Sequence, residues 1–109
     1  GEDSIAWAVR QCRRHYPTLE IEVEADSLDD VRAAAAAGVE YILLDNMENA
    51  TMAEAVRIIG GRARTEASGN ITLQRIPEIA ALGVDYISVG ALTHSVKSAD
   101  ISLDIASEV

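Results

Sequence analysis

Hydrophobic and polar positions along the chain change period several times, and each change marks an element. Ile5, Ala8, Val9 and Cys12 recur at helical spacing, which predicts a helix from Ile5 to about His15 that Tyr16-Pro17-Thr18 stops. Arg10, Arg13 and Arg14 crowd its last turns, where positive charge suits the helix dipole, and read as a solvated helix end. Glu20 to Ala25 alternates strictly and predicts a strand, with Ile21 and Val23 on one face and Glu22 and Glu24 on the other. Ser27 is placed to cap a helix carrying Leu28, Val31 and Ala35, which Gly38 ends. Val39 to Leu44 is a second strand and delivers Asp45-Asn46. Thr51 with Glu54 predicts a capping box for a helix carrying Met52, Val56 and Ile59, closed by Gly60-Gly61. Arg64 to Ala67 is a short third strand leading into Ser68-Gly69-Asn70. Leu73, Ile76, Ile79 and Ala80 predict a helix capped by Thr72 and ended by Gly83. Pro77 fits it only in the first turn, where an N–H has no helical partner anyway. Val84 to Val89 is a fourth strand, running into Gly90 and the hydroxyl-rich Ala91–Ser95. Ile101, Leu103 and Ile105 alternate with polar residues, as in a short terminal strand or a packed tail.

Strands alternating with helices imply parallel pairing through right-handed crossovers, so the fold class is α/β. A weak internal repeat supports this. AAAAGVEYILLDN and EIAALGVDYISVG both run helix, Gly, Val, acid, Tyr, Ile. Such a period is one βα unit of a barrel, and special residues recur at successive strand ends: Glu24, Asp45, Ser68 and Gly90. About four strands with their helices make only part of a TIM-like barrel. The expected architecture is therefore incomplete, with open sheet edges and one uncovered face.

Composition narrows the picture. The chain has 109 residues, 49% hydrophobic and 25% charged, with no Phe, so its core must be Ile, Leu, Val and Ala. The net charge of −9 argues against a nucleic-acid face or an anionic membrane surface, both of which need basic patches. No apolar run reaches the roughly 18 residues of a membrane span. With Cys12 as the one cysteine, no internal disulfide is possible, in keeping with a cytoplasmic protein. Cys12 reads as a small buried hydrophobe, and Trp7 as a residue packed on a neighbour.

In parallel α/β sheets, ligands bind at the carboxyl ends of the strands. Glu24 and Asp45 supply hard oxygen there. Such carboxylates suit Mg²⁺, ribose hydroxyls or a developing positive charge. Ser68-Gly69-Asn70 and Gly90-Ala91-Leu92-Thr93-His94-Ser95 supply N–H and hydroxyl donors suited to a phosphate, the latter through glycine and a following helical turn. Each feature also has a plainer reading. Glu22 and Glu24 fit a solvated strand face, Asp45-Asn46 and Ser68-Gly69-Asn70 fit simple turns, and His94 fits a surface loop. What favours a site for a phosphorylated sugar with a metal is that the special residues fall at four successive strand ends.

EIEVEADSLDDVRAAAAAGVEYILLDNM, EASGNITLQRIPEIAALGVDYISVGALTHS and DISLDI together closely resemble quinolinate phosphoribosyltransferase, from about Ile5 to Ile105. The motifs EVE, LLDN, EASG and SVGALTHS in this order and spacing carry the resemblance. It implies an enzyme that combines quinolinate with phosphoribosyl pyrophosphate, using Mg²⁺, to give nicotinate mononucleotide, pyrophosphate and CO₂. It implies that Glu24 and Asp45 are the acidic pair beside ribose and metal. Ser68, Gly69 and Asn70 then match the first phosphate loop, and Gly90, Ala91 and His94 the second. It further implies a homo-oligomer.

The family's N-terminal α+β domain and first barrel strands, whose basic residues grip quinolinate and pyrophosphate, have no counterpart here. Lys97 is the only lysine. Residues 1–109 are thus expected to be the C-terminal part of the barrel domain, inactive alone. Two alternatives stand beside this: a non-catalytic half-barrel that self-associates, and a paralogue acting on another heterocyclic base.

Overall fold

The computed structural model describes residues 2–89 and 92–95. The elements in chain order are α1 (Glu2–His15), β1 (Glu22–Ala25), α2 (Leu28–Ala37), β2 (Tyr41–Asp45), α3 (Asn49–Ile59), β3 (Arg64–Ser68), a 3-10 turn (Leu73–Arg75), α4 (Ile76–Ala81), β4 (Tyr86–Val89) and β5 (Leu92–Ser95). One sheet holds the strands in the order β1-β2-β3-β4-β5. The first four are parallel, and β5 returns antiparallel beside β4. This is the expected α/β arrangement of part of a barrel: four parallel strands alternating with helices in an open sheet. The expected terminal strand or tail at Ile101–Ile105 lies outside the described residues.

Period-two alternation gives the sheet two unlike faces. Ala25, Ile42, Leu44, Ala67 and Ile87 are fully buried and point at the helices. Val31, Ala34, Met52, Ala55, Ile59 and Ile79 meet them from the helix side. Burial of each large aliphatic side chain contributes about 1.5–3 kcal/mol. The other face carries Glu22, Glu24, Tyr41, Leu43, Arg64, Glu66 and Tyr86, all at least partly exposed.

Local signals explain most boundaries. Ser27 Oγ accepts the Asp30 N–H, and Gly38 ends α2 in the left-handed conformation. Pro77 sits in the first turn of α4, where its missing N–H is harmless. Four expectations are corrected. The Thr51–Glu54 capping box does not form, because α3 starts earlier, at Asn49 after Glu48, and Glu54 pairs instead with Arg57. Cys12 is exposed rather than buried. Trp7 is 59% exposed, on the face of α1 away from the core residue Val9. Arg13 is not merely solvated. It donates to Gly38 O at 2.8 Å and to Glu40 at 3.0 Å, tying α1 to the end of α2.

The sequence repeat has a structural cause. The acids that follow Gly-Val, Glu40 and Asp85, both reach back to the preceding strand. Glu40 Oε1 accepts the Ile21 N–H at 2.7 Å, and Asp85 Oδ2 accepts the Thr65 N–H at 2.9 Å. Thr65, the one buried polar residue of the described set, returns a bond from its Oγ1, which accepts the Asp85 N–H at 3.1 Å. Each acid thereby closes the amino end of a strand pair, β1–β2 and β3–β4, and pins its register.

Candidate functional site at the strand ends

The carboxyl ends of β2 and β3 lie side by side. Asp45 pairs with Ser68 in the parallel register, and the ladder continues one bond further, from Asn46 N to Ser68 O at 2.8 Å. The two turns that follow are in unusually close contact. A Cβ on Gly69 would stand 2.9 Å from Asp45 Oδ1 and 3.0 Å from Asn46 N, and Gly69 has φ +80°. Only glycine accepts both the conformation and the proximity. Asn46 and Asn70 also take positive φ, 56° and 53°, as asparagine does more readily than most residues. Their side chains meet, with Asn70 Nδ2 donating to Asn46 Oδ1 at 2.5 Å.

Glu24 stands apart from this cluster. It pairs with Leu43 in the β1–β2 register, two residues below Asp45 on the same face. Strand spacing and rise put the two backbones about 8 Å apart. Glu24 is exposed and Asp45 half-buried, so both carboxylates are open to a ligand on the uncovered face. The structure thus brings Asp45, Ser68, Gly69 and Asn70 together, and holds Glu24 one strand away. Gly90 and Ala91 lie outside the described residues. The segment after them, Leu92–Ser95, is a strand, which replaces the helical turn expected after Gly90. Thr93 and His94 are register partners of Ser88 and Ile87, so hairpin pairing takes up this backbone.

Among the described residues, no group of three or more His, Cys, Asp or Glu side chains is arranged to hold a metal. Asp45 and Glu24 nevertheless fit one mode of Mg²⁺ binding. That ion commonly takes one or two carboxylates and completes its shell with water and substrate oxygens.

Two participants were not evident from the sequence. Arg75 joins both turns: Nη1 donates to Asn70 O at 3.0 Å, while Nη2 donates to Met47 O at 3.0 Å and to Asn49 Oδ1 at 2.7 Å. Asn49 in turn donates to Glu78 at 2.7 Å. A cleft of about 460 Å³ opens here, lined by Asn46–Ala50, Asn70 and Arg75. Glu66 is the second. It lies on the rung of Leu43, so two carboxylates, Glu24 and Glu66, flank that leucine on the open face. The alternation of β3 was the available signal for Glu66. Nothing in the local pattern marked Arg75.

A family model described as Quinolinate phosphoribosyl transferase, C-terminal domain, matches residues 2–104. A Bacillus subtilis protein named probable nicotinate-nucleotide pyrophosphorylase (carboxylating) is 43% identical over 96 residues, covering 88% of this chain and 32% of the relative. An Arabidopsis thaliana relative, named nicotinate-nucleotide pyrophosphorylase (carboxylating), chloroplastic, is 44% identical over 106 residues, covering 84% of this chain and 30% of its own length. Among solved structures, the nicotinate-nucleotide pyrophosphorylase from Francisella tularensis superposes with a TM-score of 0.76 at 40% identity, over 81% of this chain and 32% of that one. The chain spans about a third of the length of the curated relatives it matches.

Proposed function

The chain belongs to the quinolinate phosphoribosyl transferase family, within its C-terminal domain, and on that premise we propose that it forms the phosphoribosyl-binding wall of such an enzyme. The reaction moves a phosphoribosyl group from phosphoribosyl pyrophosphate to quinolinate, with decarboxylation, giving nicotinate mononucleotide, pyrophosphate and CO₂. The observation that carries this reading is the packing of Gly69 against Asp45 and Asn46. It sets a donor-rich turn directly beside a carboxylate, as a phosphorylated sugar with a polarised ribose requires.

In this reading Ser68, Gly69 and Asn70 bind the 5-phosphate through hydroxyl and N–H donors, joined by Gly90, Ala91 and His94. Asp45 and Glu24 face the ribose. As pyrophosphate departs, positive character builds on the ribose ring, and these two fixed carboxylates stabilise it more than the ground state. When bound, Mg²⁺ would be held by Asp45 and Glu24 and would neutralise charge on the departing pyrophosphate. Grip on the two carboxylates of quinolinate falls to basic residues of the family's preceding barrel strands. The same reading makes the whole protein a homo-oligomer, and a reducing compartment such as the cytoplasm suits the single cysteine of this chain. Among the described residues no helix is long and apolar enough to cross a membrane.

Calorimetric titration of the chain with phosphoribosyl pyrophosphate tests this. Binding should strengthen with Mg²⁺, and Asp45→Asn should remove most of that strengthening while leaving the fold intact. Absence of heat at millimolar ligand, or a Mg²⁺ response unchanged in Asp45→Asn, would overturn the assignment.

A further inference from the structure

Arg75 is half-buried in the 3-10 turn that precedes α4, and its guanidinium spans the two turns at the ends of β2 and β3. Its acceptors are the carbonyls of Asn70 and Met47 and the side chain of Asn49, the last two 28 and 26 residues away in sequence. A surface arginine capping its own helix would bond locally, as Arg62 does to the carbonyls of Ile58 and Ile59 at the end of α3. Arg75 bonds instead to the two turns that flank Asp45, and both turns contain an asparagine at positive φ. A trans peptide sets each N–H opposite the preceding carbonyl. Holding Asn70 O and Met47 O therefore also fixes the direction of the Ile71 and Glu48 N–H groups.

We propose that Arg75 is a positioning residue for phosphosugar binding. Its planar fork locks the turn after β2 and the turn after β3 in one relative setting, so that the donors of Ser68-Gly69-Asn70 stand ready beside Asp45. The role depends on geometry and not on charge alone. The guanidinium reaches the turn after β3 from Nη1 and the turn after β2 from Nη2, whereas a lysine has one nitrogen on a shorter stem and cannot reproduce that rigid fork. The inference rests on the phosphosugar reading and adds to it the residue that organises the loop.

The test compares the chain with Arg75→Lys, Arg75→Gln and Arg75→Ala in two measurements: calorimetric affinity for ribose 5-phosphate, and amide hydrogen exchange. All three substitutions should weaken binding by about tenfold or more, the loss of one well-placed interaction. Exchange should accelerate at residues 46–50 and 68–71, while Leu43 and Ala67 within the strands keep their protection. Millimolar methylguanidinium should restore part of the affinity of Arg75→Ala and leave the unsubstituted chain unchanged. Binding by Arg75→Lys at full strength would reduce the role to charge and overturn the proposal. Faster exchange with undiminished affinity would make the contact merely structural and would equally overturn it. Unchanged exchange at both turns would show that the clasp does not hold them. If the unsubstituted chain itself fails to bind ribose 5-phosphate, the phosphosugar reading falls and takes this role with it. Binding by the unsubstituted chain and by every variant alike removes only the role of Arg75.

Discussion

Replacing Gly69 by alanine isolates the contact on which the proposed site rests, and a second glycine provides the control. Gly38 and Gly69 have nearly the same backbone, φ +75° and +80°, but a Cβ on Gly38 meets nothing within 4 Å. Left-handed strain alone should cost Gly38→Ala about 1–2 kcal/mol. Gly69→Ala carries the same strain and adds overlap with Asp45 Oδ1 at 2.9 Å and Asn46 N at 3.0 Å. The carboxylate can swing aside. The Asn46 amide cannot easily do so, because it is bonded to Ser68 O at 2.8 Å within the β2–β3 ladder. Forcing a methyl into such packing costs typically about 1–3 kcal/mol, so Gly69→Ala should lose about 2–5 kcal/mol in all. Domains of this size hold roughly 5–15 kcal/mol, so the variant should remain measurable. Urea denaturation with an unchanged slope gives the difference directly. Equal losses in the two variants would refute the argument, because the cost would then be conformational and the approach to Asp45 would carry no energy. In the variant that folds, phosphosugar affinity should fall further than stability explains, since the displaced groups are the donors and the carboxylate of the site.

Two further predictions concern the acids of the repeat. Asp85→Ala removes the acceptor of the Thr65 N–H in a buried setting and should cost about 1–3 kcal/mol in urea denaturation, with Asp85→Asn recovering part of it; equal stability of all three proteins would dismiss the register-pinning role. The Ile21 N–H, and next to it the Arg13 guanidinium, hold the Glu40 carboxyl below its ordinary value. The folded state therefore binds fewer protons than the unfolded one between the lowered and the ordinary value. That stabilisation is complete above the ordinary value and is lost as the pH falls through the lowered one. Glu40→Gln should thus flatten the acid limb of the stability–pH curve and converge with the parent at low pH, and parallel curves would contradict it.

Most of the fold was legible in the sequence because burial on one sheet face, the main driving force of folding, leaves a period. EIEVEA and VEYILL could only be half-buried strands, and Gly38 and Gly60, after the helices that follow them, read as stops. Asp45 and Ser68-Gly69-Asn70 were legible as strand ends, although their contact was not, since it depends on register. Of the two residues that escaped, Glu66 left a trace in the alternation of β3, whereas Arg75 left none. Arg75 sits in LQRIP, where an arginine reads as an ordinary solvated residue, and two of its partners lie 28 and 26 residues away. Cys12 and Trp7 failed for a related reason: helical spacing tells which residues share a face, but not whether anything covers that face. The segment after Gly90 failed because Leu-Thr-His-Ser suits a hairpin strand as well as a turn, and backbone pairing with β4 decides between them.

The carboxylates of this sheet fall into two groups by their place on the strands, and the proposed function gives each group a different job. Glu40 and Asp85 stand at amino ends and accept backbone N–H groups that would otherwise lack a partner, so their charge is used up in alignment. A one-residue slip of β2 or β4 would bring the wrong amide to each acid and would also turn every buried aliphatic to the open face. Asp45 stands at a carboxyl end and Glu24 one residue short of one, with Glu66 at mid-strand on the rung of Leu43, all on the face that the core does not use. Register fixed at the amino end therefore aims the acids at the carboxyl end. Substitution of Glu24 or Asp45 should spare folding, whereas substitution of Glu40 or Asp85 should disturb the site only through the strands that carry it. The same residue type is thus separable by experiment into alignment and chemistry, and the separation follows from the two-residue period of the strand.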